Sequence, residues 1–294
     1  MREFVLFSDS CVDLPNELAT ELGLTVIPLT VNVEGKEYKN YLDEREIKNV
    51  EFYNMLREYK KTSTSQINAN TFMEALEPLV AGGKDVLVIS FSSALSGTYN
   101  GAVNAAEELN EKYTKNKIIV IDSKCASMGQ GLLVYYAAMM KNAGKSMDEV
   151  AKWVEENKLK VSHLFTVGDL NHLKRGGRLS SSKAFIGTIL RVKPLLNVST
   201  EGKLVQQEKA RGRKTSLDMM VDRMEKTIEN PKGQVVFISH GDCLEDAEYV
   251  KKEILKKMPV EKVLINFNGP VIGSHSGVGT LAIFYMGNDR FVEY

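Results

Sequence analysis

Histidine and hydroxyl side chains that can bind or activate a small molecule are concentrated in three segments of this 294-residue sequence. In one of them, His275 lies between Ser274 and Ser276 within the glycine-rich stretch 268–280, NGPVIGSHSGVGT. The glycines and Pro270 predict a shaped loop, because glycine permits backbone angles and close approaches that other residues do not. A histidine held there can carry a proton, ligate a metal or hydrogen-bond an anion. Taken alone, the loop favours neither a functional nor a structural role.

The other two segments are rich in hydroxyl groups. Residues 61–66, KTSTSQ, precede an amphipathic stretch at Phe72–Val80. This pattern predicts a helix cap, with a ligand contact as the alternative. Residues 92–99, SSALSGTY, follow a buried strand at Asp85–Phe91 and precede a helix that extends to about Leu109. The first-turn amides of that helix would point at the hydroxyl loop, which suits an anion.

The elements that must position these segments alternate between strand and helix in the first half of the chain. Short apolar runs at Glu3–Phe7, Asp85–Phe91 and Ile118–Ile121 end in serine or aspartate, and helical patterns such as Ile47–Tyr59 lie between such runs. This order predicts a parallel sheet whose ligands lie beyond the carboxyl ends of the strands.

The pattern becomes more mixed near Val161. Strands are predicted at His163–Val167 and Gln234–Ser239, a hairpin around Glu201-Gly202-Lys203, and strands on both sides of the glycine-rich stretch, at 263–267 and 281–286. We therefore predict an α/β protein of two domains. An N-terminal, parallel-sheet, Rossmann-like domain spans residues 1–160, a C-terminal mixed α/β domain spans residues 161–294, and the ligand lies between them.

Composition and charge restrict the classes of partner. The chain is 43% hydrophobic and 26% charged, and its 38 basic and 38 acidic residues balance, so no overall field attracts nucleic acid or an anionic membrane. Three widely spaced cysteines argue against a disulfide framework. The apolar run after Met1 is too short for a secretory signal, and no segment reads as transmembrane. A cytoplasmic protein is expected.

Several catalytic and cofactor motifs are incomplete. Residues 277–282 fit GxGxxA, but a strand pattern follows where a dinucleotide site needs a helix. Residues 143–146, AGKS, end like a phosphate loop, but Met139 occupies the position of its first glycine. In 273–277, GSHSG, the central residue is histidine rather than the serine of a nucleophile elbow. No nucleotide cofactor is expected.

A metal site is equally unsupported by residue spacing. Asp9 and Asp13 follow the first strand, but their spacing does not suit a phosphoryl-transfer pair. The remaining histidines, His163, His172 and His240, have no companion at ligand spacing. We expect neither a metal nor another cofactor.

Two basic segments offer local positive charge. Residues 170–179, LNHLKRGGRL, place Arg178 after a glycine pair, and residues 209–214, KARGRK, include Arg211. Each is either a solvated face or a docking patch for an anionic partner.

The order of short motifs resembles that of the DegV family of bacterial fatty acid-binding proteins over nearly the whole chain. The motifs that carry the resemblance are Asp9-Ser10, Asp13-Leu14-Pro15, Thr64-Ser65-Gln66, Leu95-Ser96-Gly97-Thr98-Tyr99, Gly176-Gly177-Arg178-Leu179-Ser180, Lys193-Pro194 and the stretch from Gly269 to Gly279. The resemblance implies a two-domain α/β protein that encloses one long-chain fatty acid in an apolar tunnel. It also implies a partner, a fatty acid kinase that phosphorylates the presented carboxylate, after which the acyl phosphate moves towards phospholipid synthesis. Transient contact with a membrane or an acyltransferase would follow from that role.

The resemblance also implies which residues hold the carboxylate. Thr64, Ser96 and His275 would be the head-group contacts, together with their neighbours Ser65, Gly97 and Ser276. Two hydroxyls, a helix N-terminus and an imidazole can satisfy a carboxylate without a permanent buried counter-ion.

Arg178 and Arg211 would approach phosphate or dock the kinase, since guanidinium groups suit phosphate oxygens. The sequence departs from the family pattern at Ile67, where proline is usual, and at Val278, within the glycine-rich stretch. Both departures leave the expected contact residues intact.

Two other functions remain open at this level. A hydrolase or acyltransferase would use Ser96 with His275, although a third catalytic member is missing. An interaction module with an empty cleft is the other alternative.

Overall fold

A computed structural model describes residues 3–58, 60–179, 192–288 and 290. Tyr59, at the end of one predicted helix, and Ser180, in one of the resembling motifs, lie outside these residues. No helix in the described ranges is both long enough and apolar enough to cross a membrane.

Strands and helices alternate along most of the chain. The strands are β1 Phe4–Asp9, β2 Leu24–Ile27, β3 Thr30–Val33, β4 Lys36–Lys39, β5 Thr62–Ser65, β6 Asp85–Ser90, β7 Ile118–Asp122, β8 Val161–Thr166, β9 Val192–Val198, β10 Leu204–Arg211, β11 Val235–His240, β12 Lys262–Phe267 and β13 Leu281–Met286. The helices are α1 Asn16–Glu21, α2 Asn49–Arg57, α3 Ala69–Ala81, α4 Thr98–Lys112, α5 Met128–Asn142, α6 Met147–Asn157, α7 Leu170–Arg175, α8 Arg213–Thr227, α9 Leu244–Lys257 and α10 Pro270–Ser276.

The N-terminal half forms a parallel sheet in the order β2-β1-β6-β7. All six residues of β6 are buried, as expected for an apolar strand covered on both faces. Helices α3 and α4 pack on each other and on β6, and the pair α5 and α6 also packs against this sheet. The predicted Rossmann-like arrangement is confirmed.

The C-terminal half forms a mixed sheet in the order β10-β9-β8-β13-β11-β12. Only β11 and β12 are parallel neighbours within it, and the other pairs are antiparallel. Helices α8 and α9 share a separate apolar cluster with this sheet, built from residues such as Met220, Ile254 and Ile283. The predicted mixed α/β half is likewise confirmed.

Helix α5 connects the two sheets. It contacts β6 of the first sheet and β8, β11 and β13 of the second. Its side chains Leu132, Leu133 and Val134 are fully buried, and they belong to one apolar core that includes both Leu6 and Phe284. The mixed sheet begins with β8 at Val161, but the two sheets share one apolar core. The domain boundary between residues 160 and 161 therefore stays a prediction.

A third sheet, β4-β3-β5, is small and antiparallel. Here the sequence prediction of a helix cap at 61–66 was wrong, because Thr62–Ser65 form the edge strand β5. The residue that caps the following helix is Asn68, whose side chain accepts a hydrogen bond from the Thr71 amide. A strand of alternating serine and threonine lacks the apolar residues by which strands are recognised.

The glycine-rich stretch also differs from its prediction. Residues Pro270–Ser276 form the short helix α10 rather than a loop, with Pro270 in its first turn. A Cβ atom at Gly273 would lie 2.6 Å from Tyr53 Oη, so this glycine permits close packing of a helix against an aromatic ring. The flanking strands β12 and β13 were predicted correctly.

Candidate functional site

An apolar cavity lies between the two halves of the protein. Its empty space, including the part open to solvent, is about 580 Å³. The aromatic part of its wall comes from Phe91 of the N-terminal half and from Phe165 and Phe284 of the C-terminal sheet. Such a cavity suits an apolar ligand or an apolar portion of one.

A second pocket with a mixed polar and apolar wall adjoins this cavity, and we call it the mouth; its empty space, including the part open to solvent, is about 910 Å³. The two spaces share four wall residues, namely Phe91, Leu95, Ile272 and His275. The other residues of the mouth are Cys11, Leu29, Thr64, Ser65, Gln66, Asn68, Ser96, Arg178 and Val271. Polar groups therefore gather at one end of an apolar space, an arrangement that matches an amphipathic ligand.

His275 and Thr64 are joined directly across the mouth. Thr64 Oγ1 lies 2.8 Å from His275 Nε2, although 211 residues separate them in sequence. Burial, and then the nearby Arg178 cation, lower the pKa of His275 to about 4, so the ring is neutral at pH 7. A neutral ring that donates from Nε2 to Thr64 leaves the threonine hydroxyl hydrogen available for an anion.

The position of the His275 ring depends on a glycine. Its Nδ1 atom would lie 2.4 Å from a Cβ atom at Gly176, and Nδ1 has no hydrogen-bond partner among the described residues. The Gly176-Gly177 pair of the basic segment thus makes room for the imidazole.

Ser96 lies at the entrance to helix α4. Its Oγ atom accepts a hydrogen bond from the Thr98 amide at 3.2 Å and lies 2.9 Å from Thr98 Oγ1. Gly97 is the N-cap residue, and a Cβ atom there would lie 2.2 Å from Gln66 Oε1. Gly97 therefore allows the Gln66 side chain to cover the start of a helix that is 15 residues long. The positive end of this helix favours an anion beside Ser96.

Arg178 contributes a cation to the mouth without a carboxylate neighbour in the part of the chain that the structure describes. Its Nε donates to the Leu95 carbonyl at 3.2 Å, and its other contact is with the Gly176 carbonyl at 2.6 Å. Backbone carbonyls orient the guanidinium but do not neutralise it. The charge remains available to an anionic ligand.

Of the predicted residues that have a side chain, Ser276 and Arg211 do not line the mouth. Ser65 lines the mouth with an exposed side chain, whereas Ser276 lines the apolar cavity. Arg211 is exposed at the end of β10, seven residues after Leu204 of the cavity wall, or roughly 23 Å along the strand. The structure therefore brings Thr64, Ser96, Arg178 and His275 together, and Arg211 is not among the described residues in the wall of the mouth or of the cavity.

A buried polar patch in the cavity wall was not found from the sequence. Ser127 Oγ lies 3.1 Å from Ser239 Oγ and 3.1 Å from Asn268 Oδ1, and all three residues line the cavity. Behind them, Asp13 Oδ2 lies 2.6 Å from Ser127 Oγ. Desolvation raises the pKa of Asp13 to about 8. These residues are too far apart in sequence for any local motif to connect them.

The geometry does not form a nucleophile and base. The Ser96 hydroxyl pairs with Thr98, and the imidazole Nε2 of His275 pairs with Thr64, so the described contacts include no serine–histidine hydrogen bond. Activation of a serine requires that contact. Nor do the described residues contain a group of three or more His, Cys, Asp or Glu side chains that could hold a metal ion. The mouth can bind and orient an anion.

Comparison with known proteins agrees with the resemblance seen in the sequence. Residues 3–288 match the profile of a family described as an uncharacterised protein, DegV family. A DegV domain-containing protein of Clostridium perfringens is 50% identical over 290 residues, 99% of this chain and 99% of that protein.

Solved structures share the fold over almost their full length. A DegV family protein from Thermus thermophilus, described by its fatty acid binding, is 31% identical, with a TM-score of 0.88 over 98% of this chain and 100% of that one. DegV of Bacillus subtilis, described as a fatty acid binding protein, is 29% identical, with a TM-score of 0.84 over 98% and 100% of the two chains. From its sequence match and its two-part α/β fold, the chain belongs to the DegV family.

Proposed function

We propose that this protein binds one long-chain fatty acid, with the acyl chain in the apolar cavity and the carboxylate in the mouth. The observation that carries the proposal is that the two spaces share His275 in their walls, where polar groups from both halves of the chain meet. The described binding of fatty acid by the Thermus thermophilus and Bacillus subtilis relatives supports it.

The carboxylate would be held by hydrogen bonds and one cation. Thr64 donates its hydroxyl hydrogen, Ser96 adds a second hydroxyl at the start of α4, and Arg178 supplies positive charge. Because His275 is neutral, it serves as a hydrogen-bond relay and not as the counter-ion.

The acyl chain supplies most of the affinity. Each buried methylene contributes about 0.8 kcal/mol, so a sixteen-carbon chain gains on the order of 10 kcal/mol before the costs of binding. We therefore expect the ligand to remain bound during purification.

Mass spectrometry of an organic extract tests the proposal first. The purified, never-denatured protein is compared with an unrelated protein prepared in parallel. Near-stoichiometric fatty acid supports a carrier, whereas absence of lipid, together with no rise in melting temperature on adding fatty acid, contradicts it.

We further propose that the bound acid is presented to a fatty acid kinase in the cytoplasm, and that the acyl phosphate then moves towards phospholipid synthesis. In this proposal the carboxylate lies in the mouth, part of which is open to solvent, so an external enzyme can reach it. Arg211 is exposed, which suits a docking role. The protein itself would not catalyse the transfer.

The kinase proposal has a separate assay. The loaded protein is mixed with a fatty acid kinase and ATP, and the acyl phosphate is trapped with hydroxylamine. Arg211→Ala should retain lipid and lose acyl phosphate formation, while the control Lys252→Ala, which removes an exposed cation outside the basic segment, retains both. Loss of lipid in Arg211→Ala would show that Arg211 acts at the ligand site instead.

A further inference from the structure

The buried patch formed by Ser127, Ser239 and Asn268 is unusual for the wall of an apolar cavity. The three residues come from the N-cap of α5, from β11 and from the segment before α10. All are at least 95% buried, with exposures of 5%, 0% and 1%. A cavity meant only for methylene groups gains nothing from such polar atoms, since burying them costs free energy unless they are hydrogen-bonded.

One amide atom of the patch is left without a partner. Asn268 Oδ1 faces Ser127 Oγ, and Asn268 Nδ2 has no hydrogen-bond partner within the described residues. Rotating the amide by half a turn would pair the nitrogen with Ser127 and leave the oxygen unpaired instead. In either orientation, a buried polar atom of a cavity-lining residue is free, which is rare in folded proteins.

The neighbouring serine is held in a costly conformation. Ser127 has φ 52° and ψ −143°, an unfavourable combination for a residue with a side chain. Asp13 anchors its hydroxyl from behind at 2.6 Å. Strained residues that are fixed in this way are concentrated at ligand sites.

The patch is separated from the mouth by the length of α10. Asn268 precedes His275 by seven residues, which corresponds to about 10 Å at the rise of an α-helix. A fatty acid whose carboxylate lies beside His275 would therefore bring the middle of its chain, not its head, to Asn268.

We propose that the patch of Ser127, Ser239 and Asn268 is a binding site for a hydroxyl group on the middle of the acyl chain, so that the ligands of this protein include hydroxylated fatty acids. The inference rests on the proposed fatty acid binding. A hydroxyl group both donates and accepts, so it satisfies the free Asn268 atom in either orientation of the amide.

Displacement of a fluorescent fatty acid tests this site in the intact protein. The competitors are stearic acid and its mono-hydroxy derivatives, substituted beside the carboxylate, at mid-chain and near the methyl end. We expect the mid-chain derivative to bind about tenfold more tightly than the other two derivatives, because one additional hydrogen bond in a buried site changes the affinity by about that factor.

Variants assign the preference to the patch. Asn268→Leu should remove the tenfold preference, measured within the variant as the affinity for the mid-chain derivative relative to the other two derivatives, and Ser239→Ala should reduce it. The matched control is Thr166→Val, because the Thr166 hydroxyl is also buried and unpartnered but does not line the cavity. If Asn268→Leu does not fold, Ser239→Ala and the comparison of derivatives still decide the matter.

The outcomes separate this inference from the function on which it rests. Binding of stearic acid with equal losses for all hydroxylated derivatives would overturn the hydroxyl site and leave fatty acid binding intact, as would a preference that persists in Asn268→Leu. Failure of every competitor, including stearic acid, would overturn fatty acid binding itself.

Discussion

At the scale of single residues, the mouth combines neutral donors with one cation. Thr64 and His275 form a relay whose ring nitrogen Nε2 lies 2.8 Å from the threonine hydroxyl, and Arg178 is oriented by two backbone carbonyls. An anion placed there receives hydrogen bonds and charge without displacing a carboxylate from an existing ion pair.

Thr64→Val should weaken fatty acid binding by roughly tenfold to a hundredfold, because hydrogen bonds to charged groups contribute about 1.5–3 kcal/mol. The change keeps the shape of the side chain and removes its hydroxyl. Fluorescence displacement measures the affinity. Thr62→Val is the matched control, since Thr62 lies on the same strand but does not line the mouth. Equal losses in both variants would point to a change in the β5 strand rather than in a ligand contact.

Arg178→Gln should also weaken binding, by about tenfold, with partial recovery in Arg178→Lys, which keeps the charge. The control is Arg175→Gln, which removes an exposed charge from the end of α7. If Arg178→Gln and Arg175→Gln bind stearic acid equally well, Arg178 is not a head-group contact.

His275 should remain neutral between pH 5 and pH 8 in the ligand-free protein, because burial lowers its pKa to about 4. Binding of an anion beside the ring should raise that pKa, since a nearby negative charge favours the imidazolium. Nuclear magnetic resonance of the ring protons in both states measures the change. Ring signals that titrate near pH 6.5 in the free protein would contradict this account.

At the scale of elements, α10 shows how a glycine-rich helix can be packed. A Cβ atom at Gly273 would lie 2.6 Å from Tyr53 Oη and 2.8 Å from Phe52 Cε1. Tyr53 in turn donates its hydroxyl hydrogen to the Asn268 carbonyl at 2.9 Å, so the contact fixes where α10 begins. The helix that carries His275 is therefore positioned by two aromatic rings of α2.

Gly273→Ala should lower the free energy of unfolding by about 1–3 kcal/mol, because overpacking forces the helix and the rings apart. Denaturant titration measures the loss. In a double-mutant cycle with Tyr53→Phe, which removes one clashing atom, the two changes should be non-additive. Additive losses would mean that Gly273 and Tyr53 do not restrain each other.

The elements differ in how well the sequence predicts them. Strands such as β6 and β13 are predictable because their apolar runs are long and bounded by polar residues. The strand β5 and the helix α10 were missed because their residues, TSTS and PVIGSHS, show neither the alternating apolar pattern of a strand nor the three-to-four-residue apolar spacing of a helix. Tertiary contacts hold both elements in place.

The site was partly predictable for a related reason. Thr64, Ser96 and His275 each belong to a recognisable local motif, so the resemblance could name them. The polar patch could not be named, because Ser127 and Asn268 are 141 residues apart and meet only when the sheets are assembled.

At the scale of the whole molecule, the buried carboxyl of Asp13 links protonation to folding. Its pKa is about 8 in the folded protein and about 3.9 in an unfolded chain. The folded state therefore holds a proton that the unfolded state releases between these values. The stability that this group contributes is complete below about pH 4 and is lost as the pH rises through about 8.

Asp13→Asn should remove this dependence. Burial also lowers the pKa of four histidines, so their contribution to the free energy of unfolding rises with pH below about pH 6.5; they are His163, His172, His240 and His275. The effect of Asp13 is therefore measured as the difference in the free energy of unfolding between wild type and variant. Relative to Asp13→Asn, the wild type should lose stability from pH 5 to pH 8 in denaturant titrations. Asparagine tolerates the positive φ of 49° at this position. A difference that is constant with pH would show that Asp13 is ionised in the fold.

Helix α5 has a consequence for ligand exchange. Because α5 packs against both sheets, a hinge motion that separates the two halves would expose the apolar core that they share. If the protein binds a fatty acid as proposed, entry and exit of the chain would then require a local rearrangement at the mouth, where the Gln66 side chain lies over the start of α4. A partner that moves Gln66 would in that case speed up release of the ligand.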